Sequence, residues 1–203
     1  IAGHIVELKA PENSPVWAAC SKYAPFETCS QEFPVCSLEF AELKGTTKGE
    51  LVYDVKEKDY PRLCFYRNGD VWTIEMAPES SLPIVAVMEA SLGFEKARIK
   101  MLETAPKTFL FALDNALMLL FAMSTAALDT LEIHSSVTMC DGKGYAFLGK
   151  SGTGKSTHSR LWKEFIPGSE LLNDDNPIIR IIDDKAYIYG SPWSGKTPCY
   201  RNL

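Results

Sequence analysis

GKSGTGKS, residues 149–156, is the stretch of this sequence that decides its fold. It matches the phosphate-binding pattern GxxxxGK[ST] at every fixed position. An apolar segment, 145–148, precedes it, and an amphipathic segment, 155–165, follows it. Strand, glycine-rich loop and helix form the setting that a phosphate cradle needs, because the loop amides and the positive end of the helix then face the same anion. We therefore predict an α/β fold in which this loop joins a strand to a helix.

The loop residues have expected tasks in binding ATP. Lys155 reaches the β- and γ-phosphates, and the Ser156 hydroxyl is a ligand of Mg²⁺. The other residues that we expect to bind the cofactor let the backbone approach the phosphates or donate N–H groups to them, namely Gly149, Ser151, Gly152, Thr153, Gly154 and Thr157. The alternative is a glycine-rich turn that matches by accident, and the flanking strand and helix argue against it.

Two carboxylates, Asp174 and Asp175, end a short apolar segment downstream of the loop. One of them can hold Mg²⁺ while the other accepts the proton of an attacking hydroxyl, which is a division of tasks that suits a kinase. The same residues, followed by Asn176 and Pro177, also have the composition of a simple polar turn. The preceding phosphate loop favours the functional interpretation.

A hairpin is predicted immediately before the loop. Asp141 and Gly142 are typical of a tight turn, and they join the strands expected at 131–139 and 145–148. A parallel crossover would be usual at this point in a phosphate-loop protein. The antiparallel neighbour therefore indicates a mixed sheet around the loop.

His134, the hairpin, the loop and the Asp174–Asp175 pair together resemble the superfamily of HPr kinase/phosphorylase and ATP-dependent phosphoenolpyruvate carboxykinase. The resemblance covers about residues 131–202, and it is greatest to bacterial HPr serine kinase-like proteins. It implies a P-loop phosphoenolpyruvate carboxykinase-like mixed sheet and assembly as a homo-oligomer.

The resemblance also implies a role for each matching residue. Asp174 is the catalytic base, and Lys155 binds the phosphates. Ser156 and Asp175 hold the metal, and His134 lies near the transferred phosphate as a third catalytic residue.

Residues 1–108 are predicted to form a mostly antiparallel β domain, because apolar and polar residues alternate along short segments that turn residues separate. We expect three hairpins, which join residues 37–43 to 50–55, 62–67 to 71–76, and 83–90 to 94–101. A long apolar stretch at 109–128 without Gly or Pro predicts a buried helix. Residues 109–203 then form the phosphate-loop core.

Composition limits the partners and the compartment. The formal net charge of -5 argues against nucleic acid or an acidic membrane surface as a partner. The six cysteines include no CxxC pair, so we expect reduced thiols in a cytoplasmic protein. Four polar residues interrupt the apolar run at 112–128, and we expect no membrane span there. The chain begins with Ile rather than Met and stops after a Gly- and Pro-rich segment, so we expect the core to be truncated at its C-terminus.

These features predict a Mg²⁺- and ATP-dependent kinase that transfers a phosphoryl group to a hydroxyl of a protein serine or a small metabolite. An enzyme of the phosphoenolpyruvate carboxykinase type is one alternative, and a nucleotide-regulated binding module without transfer activity is another. Lys196 and Arg201, in the terminal Gly- and Pro-rich segment, are candidates to stabilise the transferred phosphoryl group or are solvated charges.

Overall fold

The computed structural model describes residues 1–43, 45, 48–55, 60–195 and 197–203 of the chain. The chain has an α/β fold with a seven-stranded mixed sheet and few helices. It divides into two compact units. The sheet unit comprises Ile5–Cys20 and Glu32–Ser124, and the loop unit comprises Ile1–His4, Ser21–Gln31 and Thr125–Leu203. The boundary that we expected between residues 108 and 109 falls within a helix of the sheet unit.

The sheet unit contains seven strands in the order β1-β2-β7-β6-β5-β4-β3. The strands are β1 (Val6–Lys9), β2 (Cys36–Phe40), β3 (Glu50–Asp54), β4 (Arg62–Asn68), β5 (Val71–Ala77), β6 (Ala86–Ser91) and β7 (Lys96–Met101). β2 runs parallel to both of its neighbours, and the other pairs are antiparallel. The unit is therefore mostly antiparallel, and two of its predicted hairpins, β4–β5 and β6–β7, are confirmed.

The first predicted hairpin is wrong. β2 pairs with β1 and β7, whereas β3 lies at the opposite edge of the sheet and pairs with β4. Burial explains the separation, because Cys36 and Leu38 of β2 are buried while Leu51 and Tyr53 of β3 are exposed. The turn that we expected between them includes Lys44, Thr46 and Thr47, which lie outside the described residues.

The long apolar helix is confirmed as α2 (Pro106–Thr125), and a 3₁₀ turn, Ala126–Leu128, follows it. Its first residue is a proline, whose fixed φ suits the first helical turn. Phe109 stacks on Phe40 of β2 with 5.6 Å between ring centroids, so α2 packs against the sheet. Its buried residues recur at helical spacing, namely Phe109, Ala112, Leu113, Ala116, Leu117, Leu120 and Phe121.

The stretch Pro106–Leu128 is long and apolar enough to cross a membrane. Our expectation that its four polar residues exclude this was too strong, because only one of the four, Asp114, is charged. In the sheet unit one face of this helix is buried, which is the arrangement that a core helix also has.

The loop unit contains two three-stranded sheets, ordered β10-β9-β11 and β13-β12-β8, with a helix, α3 (Lys155–Phe165). The strands are β8 (Thr130–Glu132), β9 (Ser135–Cys140), β10 (Lys143–Leu148), β11 (Glu170–Asp175), β12 (Ile178–Ile182) and β13 (Lys185–Tyr189). A four-residue helix, α1 (Val16–Ala19), and a 3₁₀ segment, Cys20–Phe26, complete the chain's described elements.

Two expectations about this unit need correction. The strand predicted at 131–139 is two strands, because the chain leaves one sheet after β8 and enters the other at β9. The mixed sheet predicted around the loop is also wrong for the described residues, since β9 pairs antiparallel with both β10 and β11. The hairpin at Asp141 and Gly142 is confirmed, and both residues have the positive φ of a tight turn, 50° and 69°.

Candidate phosphate-binding site

The topology of the loop unit brings three chain segments to one edge of a sheet. β10 and β11 both run antiparallel to β9, so they run in the same direction and end at the same edge. Leu148 at the end of β10 and Asp175 at the end of β11 are both opposite Ser135, the first residue of β9. The phosphate loop follows Leu148 directly, and His134 directly precedes Ser135. The loop, both aspartates and the histidine therefore lie at one sheet edge.

Two glycines give the loop its shape. Gly152 and Gly154 have φ values of 82° and 93°, which residues with a Cβ rarely adopt. Gly154 is also the residue at which the chain turns into α3, so the N–H groups of the first helical turn face the loop. This is the geometry that favours an anion.

Gly149 and Thr153 shape the loop from within. The Thr153 hydroxyl donates to the Lys150 carbonyl at 2.8 Å and so ties the loop across its width. A Cβ at Gly149 would lie 2.7 Å from that hydroxyl oxygen, so only glycine leaves room for this hydrogen bond. The two residues were predicted to bind the cofactor, and neither lines the pocket described below.

Lys155 folds back over the loop that precedes it. Its Nζ donates to the carbonyl oxygens of Gly149 at 2.9 Å and Lys150 at 3.3 Å. The ammonium group is thus held above the loop by neutral carbonyls, which a phosphate oxygen can replace as its partner.

A pocket of about 410 Å³ opens at this edge. Apart from Gly149 and Thr153, the predicted site residues all line it. The lining residues are His134, Ser135, Ser136, Ser151, Gly152, Gly154, Lys155, Ser156, Thr157, Asp174, Asp175 and Gly195. The pocket therefore joins groups that bind phosphate to groups that can move a proton or hold a cation.

The two aspartates have different surroundings. Asp174 is 4% exposed, and its Oδ2 has no hydrogen-bond partner in the described part of the chain. Asp175 is more open, and its Oδ1 lies 3.1 Å from Nε2 of His134. A buried carboxylate oxygen is costly unless a ligand or a proton satisfies it. Asp174 is thus suited to meet an incoming hydroxyl, while Asp175 is suited to a cation.

Asn173 fixes the backbone that carries both aspartates. It is fully buried, and its Oδ1 accepts hydrogen bonds at 3.0 Å from the backbone N–H groups of Asp175 and Asn176. Its Nδ2 donates to the Ser191 hydroxyl at 3.1 Å. In this structure the aspartates are the last residues of β11, so they do not belong to a free polar turn.

Gly195 is a site residue that the sequence did not reveal. Its N–H donates to the Asp174 carbonyl at 2.8 Å, and a Cβ there would lie 2.7 Å from that carbonyl oxygen. Close approach of two backbones explains the glycine, and no local pattern indicates it. Arg201, which we considered near the phosphates, instead pairs with Glu170. Lys196 lies outside the described residues.

Glu132 is a second residue that the sequence analysis missed. Burial, with a smaller contribution from the charge of Asp175, raises the pKa of its carboxyl to about 8. Its Oε2 is buried and has no hydrogen-bond partner among the residues described. The sequence gives no signal for it, because alternation along β8 predicts that Leu131 faces inward, whereas Leu131 is 60% exposed and its polar neighbours are the more buried residues.

The described residues contain no cluster of three or more His, Cys, Asp or Glu side chains that would hold a metal by itself. Magnesium does not need such a cluster, because it is usually held by one or two protein oxygens together with substrate phosphates and water. Ser156 and Asp175, which share the pocket, offer that type of donor set.

Comparison with known proteins gives no assignment: no family model matches the sequence, and no curated protein is significantly similar to it.

Proposed function

We propose that the protein is a Mg²⁺- and ATP-dependent kinase that transfers the γ-phosphoryl group of ATP to a hydroxyl. One observation carries the proposal: a phosphate loop, a buried carboxylate with an unpartnered oxygen and a second, more open carboxylate line the same pocket. A loop that merely binds phosphate has no need of the two carboxylates. A kinase needs both.

In this proposal the loop holds the phosphates of ATP. Backbone N–H groups of residues 151–156 donate to phosphate oxygens at the start of α3, where the helix dipole favours negative charge. Lys155 exchanges its two carbonyl partners for the β- and γ-phosphates. Thr157, which follows in the first turn of α3, continues the contact toward the α-phosphate.

The residues present fit a magnesium ion, which prefers oxygen ligands. Ser156 and Asp175 are the residues that would hold it. When bound, Mg²⁺ neutralises the charge that develops on the β- and γ-phosphates. His134, which contacts Asp175, keeps that carboxylate oriented and adds a donor close to the transferred group.

Asp174 is the proposed base. The buried, unpartnered Oδ2 of Asp174 accepts the proton of the acceptor hydroxyl. At the same time, the hydroxyl oxygen of the acceptor forms a bond to the γ-phosphorus. The bond between the γ-phosphorus and the bridging oxygen breaks, and ADP leaves with that electron pair. Gly195 and Asn173 hold the Asp174–Asp175 backbone in place for this step.

A likeness to HPr kinase and to P-loop phosphoenolpyruvate carboxykinase is part of the proposal. Its support is the arrangement at the sheet edge, where a hairpin precedes the loop and β10 and β11 lie on either side of β9. The kinase is favoured within that superfamily because an unpartnered carboxylate is suited to a hydroxyl proton.

Calorimetry with Mg²⁺ and a non-hydrolysable ATP analogue tests the binding part of the proposal. Lys155→Ala should weaken binding at least about a hundredfold, since it removes a charged contact to two phosphates. Lys150→Ala is the matched control, because Lys150 is a loop lysine whose side chain does not line the pocket. Asp174→Asn should bind as the parent does. Equal affinities of the parent and Lys155→Ala for the ATP analogue would refute the proposal.

A further inference from the structure

A second pocket, of about 280 Å³, lies beside α3. It shares Ser156, Thr157 and Asp174 with the phosphate-loop pocket. The two pockets therefore meet at the proposed base and at the start of the helix. We refer to the smaller one as the side pocket.

Two cations line the side pocket. Ser156, Arg160 and Lys163 are spaced i, i+4 and i+7, which places them along one stripe of α3. That stripe faces β11, which contributes Leu171 and Asp174 to the pocket, and the remaining lining residues are Thr157, Ser159 and Thr197. No hydrogen bond or ion pair of Arg160 or Lys163 is found in the described ranges of the chain.

The base faces the same space. Asp174 is 4% exposed, so nearly all of its surface is covered, yet it lines both pockets and its Oδ2 is unpartnered. A hydroxyl bound in the side pocket would lie against Asp174, the residue that both pockets share. It would then have the phosphate loop on the far side, as in-line transfer requires.

We propose that the side pocket binds the phosphoryl acceptor, and that this acceptor is a small hydroxy compound with a phosphate group, which Arg160 and Lys163 hold. The assignment rests on the proposed kinase function. An arginine fork and a neighbouring ammonium together suit a doubly charged phosphate better than a single carboxylate. The volume lies near the lower limit of small-molecule sites, roughly 300 Å³, which favours a metabolite over a protein segment.

Helix geometry sets the spacing of the α3 residues that line the side pocket. Arg160 and Lys163 lie four and seven residues beyond Ser156, which corresponds to about 6 and 10 Å along the helix axis. The two cations therefore lie one to two helical turns from Ser156, which lines both pockets.

Calorimetry with inorganic phosphate as the probe tests the site without any transfer. The protein is first saturated with Mg²⁺ and a non-hydrolysable ATP analogue, so that the phosphate loop is occupied. We expect phosphate to bind this complex in the millimolar range, and Arg160→Gln with Lys163→Gln to weaken binding at least about tenfold. The control is Lys143→Gln with Lys185→Gln, which removes two exposed positive charges from strand ends of the same unit.

Three results would refute the proposal that the side pocket binds the acceptor's phosphate. Loss of affinity for the ATP analogue by the same factor in the Arg160→Gln, Lys163→Gln protein would show that these cations bind the nucleotide and not the acceptor. Absence of phosphate binding to the loaded parent would also refute it. So would equal phosphate affinity in the parent and the doubly substituted protein.

Matched acceptors then test the substrate class. Transfer from ATP is compared between glycerol 3-phosphate and glycerol, and between glucose 6-phosphate and glucose. We expect a preference of at least about tenfold for the phosphorylated member of a pair, lost in the doubly substituted protein. Preference for the neutral member, or transfer to cell proteins alone, would contradict the proposed acceptor. Absence of all transfer would refute the kinase function, while the phosphate-binding result would still decide whether the side pocket binds anions.

Discussion

Glu132 should make the stability of the protein depend on pH in a direction opposite to that of most carboxylates. The pKa of its carboxyl is raised from 4.5 to about 8, with burial as the larger cause and the charge of Asp175 as the smaller. A raised carboxyl pKa means that the folded protein binds a proton that the unfolded chain has released. Stability from this group is therefore fully present below pH 4.5 and is lost as pH rises toward 8.

The magnitude follows from the shift. At about 1.4 kcal/mol per pH unit, the loss is about 1 kcal/mol at pH 5, about 3 kcal/mol at pH 7 and approaches about 5 kcal/mol above pH 8. Glu132 is partly exposed, so water reduces these figures, and we expect about half of each. Glu132→Gln, which mimics the protonated carboxyl, should recover that stability, with a gain of about 1.5 kcal/mol at pH 7.

Urea unfolding followed by tryptophan fluorescence at pH 5, 7 and 8.5 measures the effect. Glu164→Gln is the matched control, because Glu164 is exposed on α3 and should change stability little at any of these pH values. Asp175→Asn should reduce the pH dependence only in part, since burial is the larger cause of the shift. If the gain from Glu132→Gln is the same at all three pH values, Glu132 is not buried beside Asp175 and the reasoning fails.

Three further substitutions test the parts of the loop unit. Burial and the charge of Arg180 lower the pKa of His4 to about 4, so the stability that this group contributes above pH 6.5 is lost as pH falls. The loss should be about 2 kcal/mol at pH 5, measured by urea unfolding. A His4→Gln protein with the same acid sensitivity as the parent would contradict this prediction. Asn173→Ala removes the acceptor of two backbone N–H groups and should lower the free energy of unfolding by about 2 to 3 kcal/mol; a change within error would show that this contact is not formed. Gly154→Ala places a residue with a Cβ in a left-handed backbone conformation, at a cost of about 1 to 2 kcal/mol. ATP affinity, measured by calorimetry, should therefore fall about tenfold. Unchanged affinity would argue against the loop geometry.

Local sequence patterns were sufficient to predict turns and loops whose geometry depends on residues that are adjacent in the chain. Gly69 and Asp70 form the β4–β5 turn, since Asn68 pairs with Val71, and Asp141 and Gly142 form the turn before the phosphate loop. The glycines of the phosphate loop likewise predicted a backbone that approaches the phosphates closely. In each case the residues that determine the geometry are adjacent in the chain.

The pairing of distant strands was not predictable in this way. Alternation along residues 37–43 and 50–55 identified two strands correctly, but it contains no information about which strand lies beside which. β2 is placed inside the sheet by the burial of Cys36 and Leu38, and that burial depends on strands far along the chain. The same limit applies to the segment 131–139, which passes from one sheet to another.

The site was predictable to the extent that its residues carry motifs. Lys155, Ser156 and the aspartates were expected, and the structure brings them into one pocket. Gly195 and Glu132 were missed, because each depends on residues that are distant in sequence. Gly195 donates to the Asp174 carbonyl, and Glu132 is affected by burial and by the charge of Asp175.

Transfer of labelled phosphate from γ-labelled ATP in the presence of Mg²⁺ tests the central claim most directly. The acceptors are serine, the matched sugar and polyol phosphates, and proteins of a cell extract, each assayed with the parent and with Asp174→Asn. The proposed base predicts that the parent transfers label and that Asp174→Asn is slower by at least about a hundredfold while it binds ATP with parental affinity. Tight ATP binding without transfer by the parent, or equal transfer by both proteins, would contradict it.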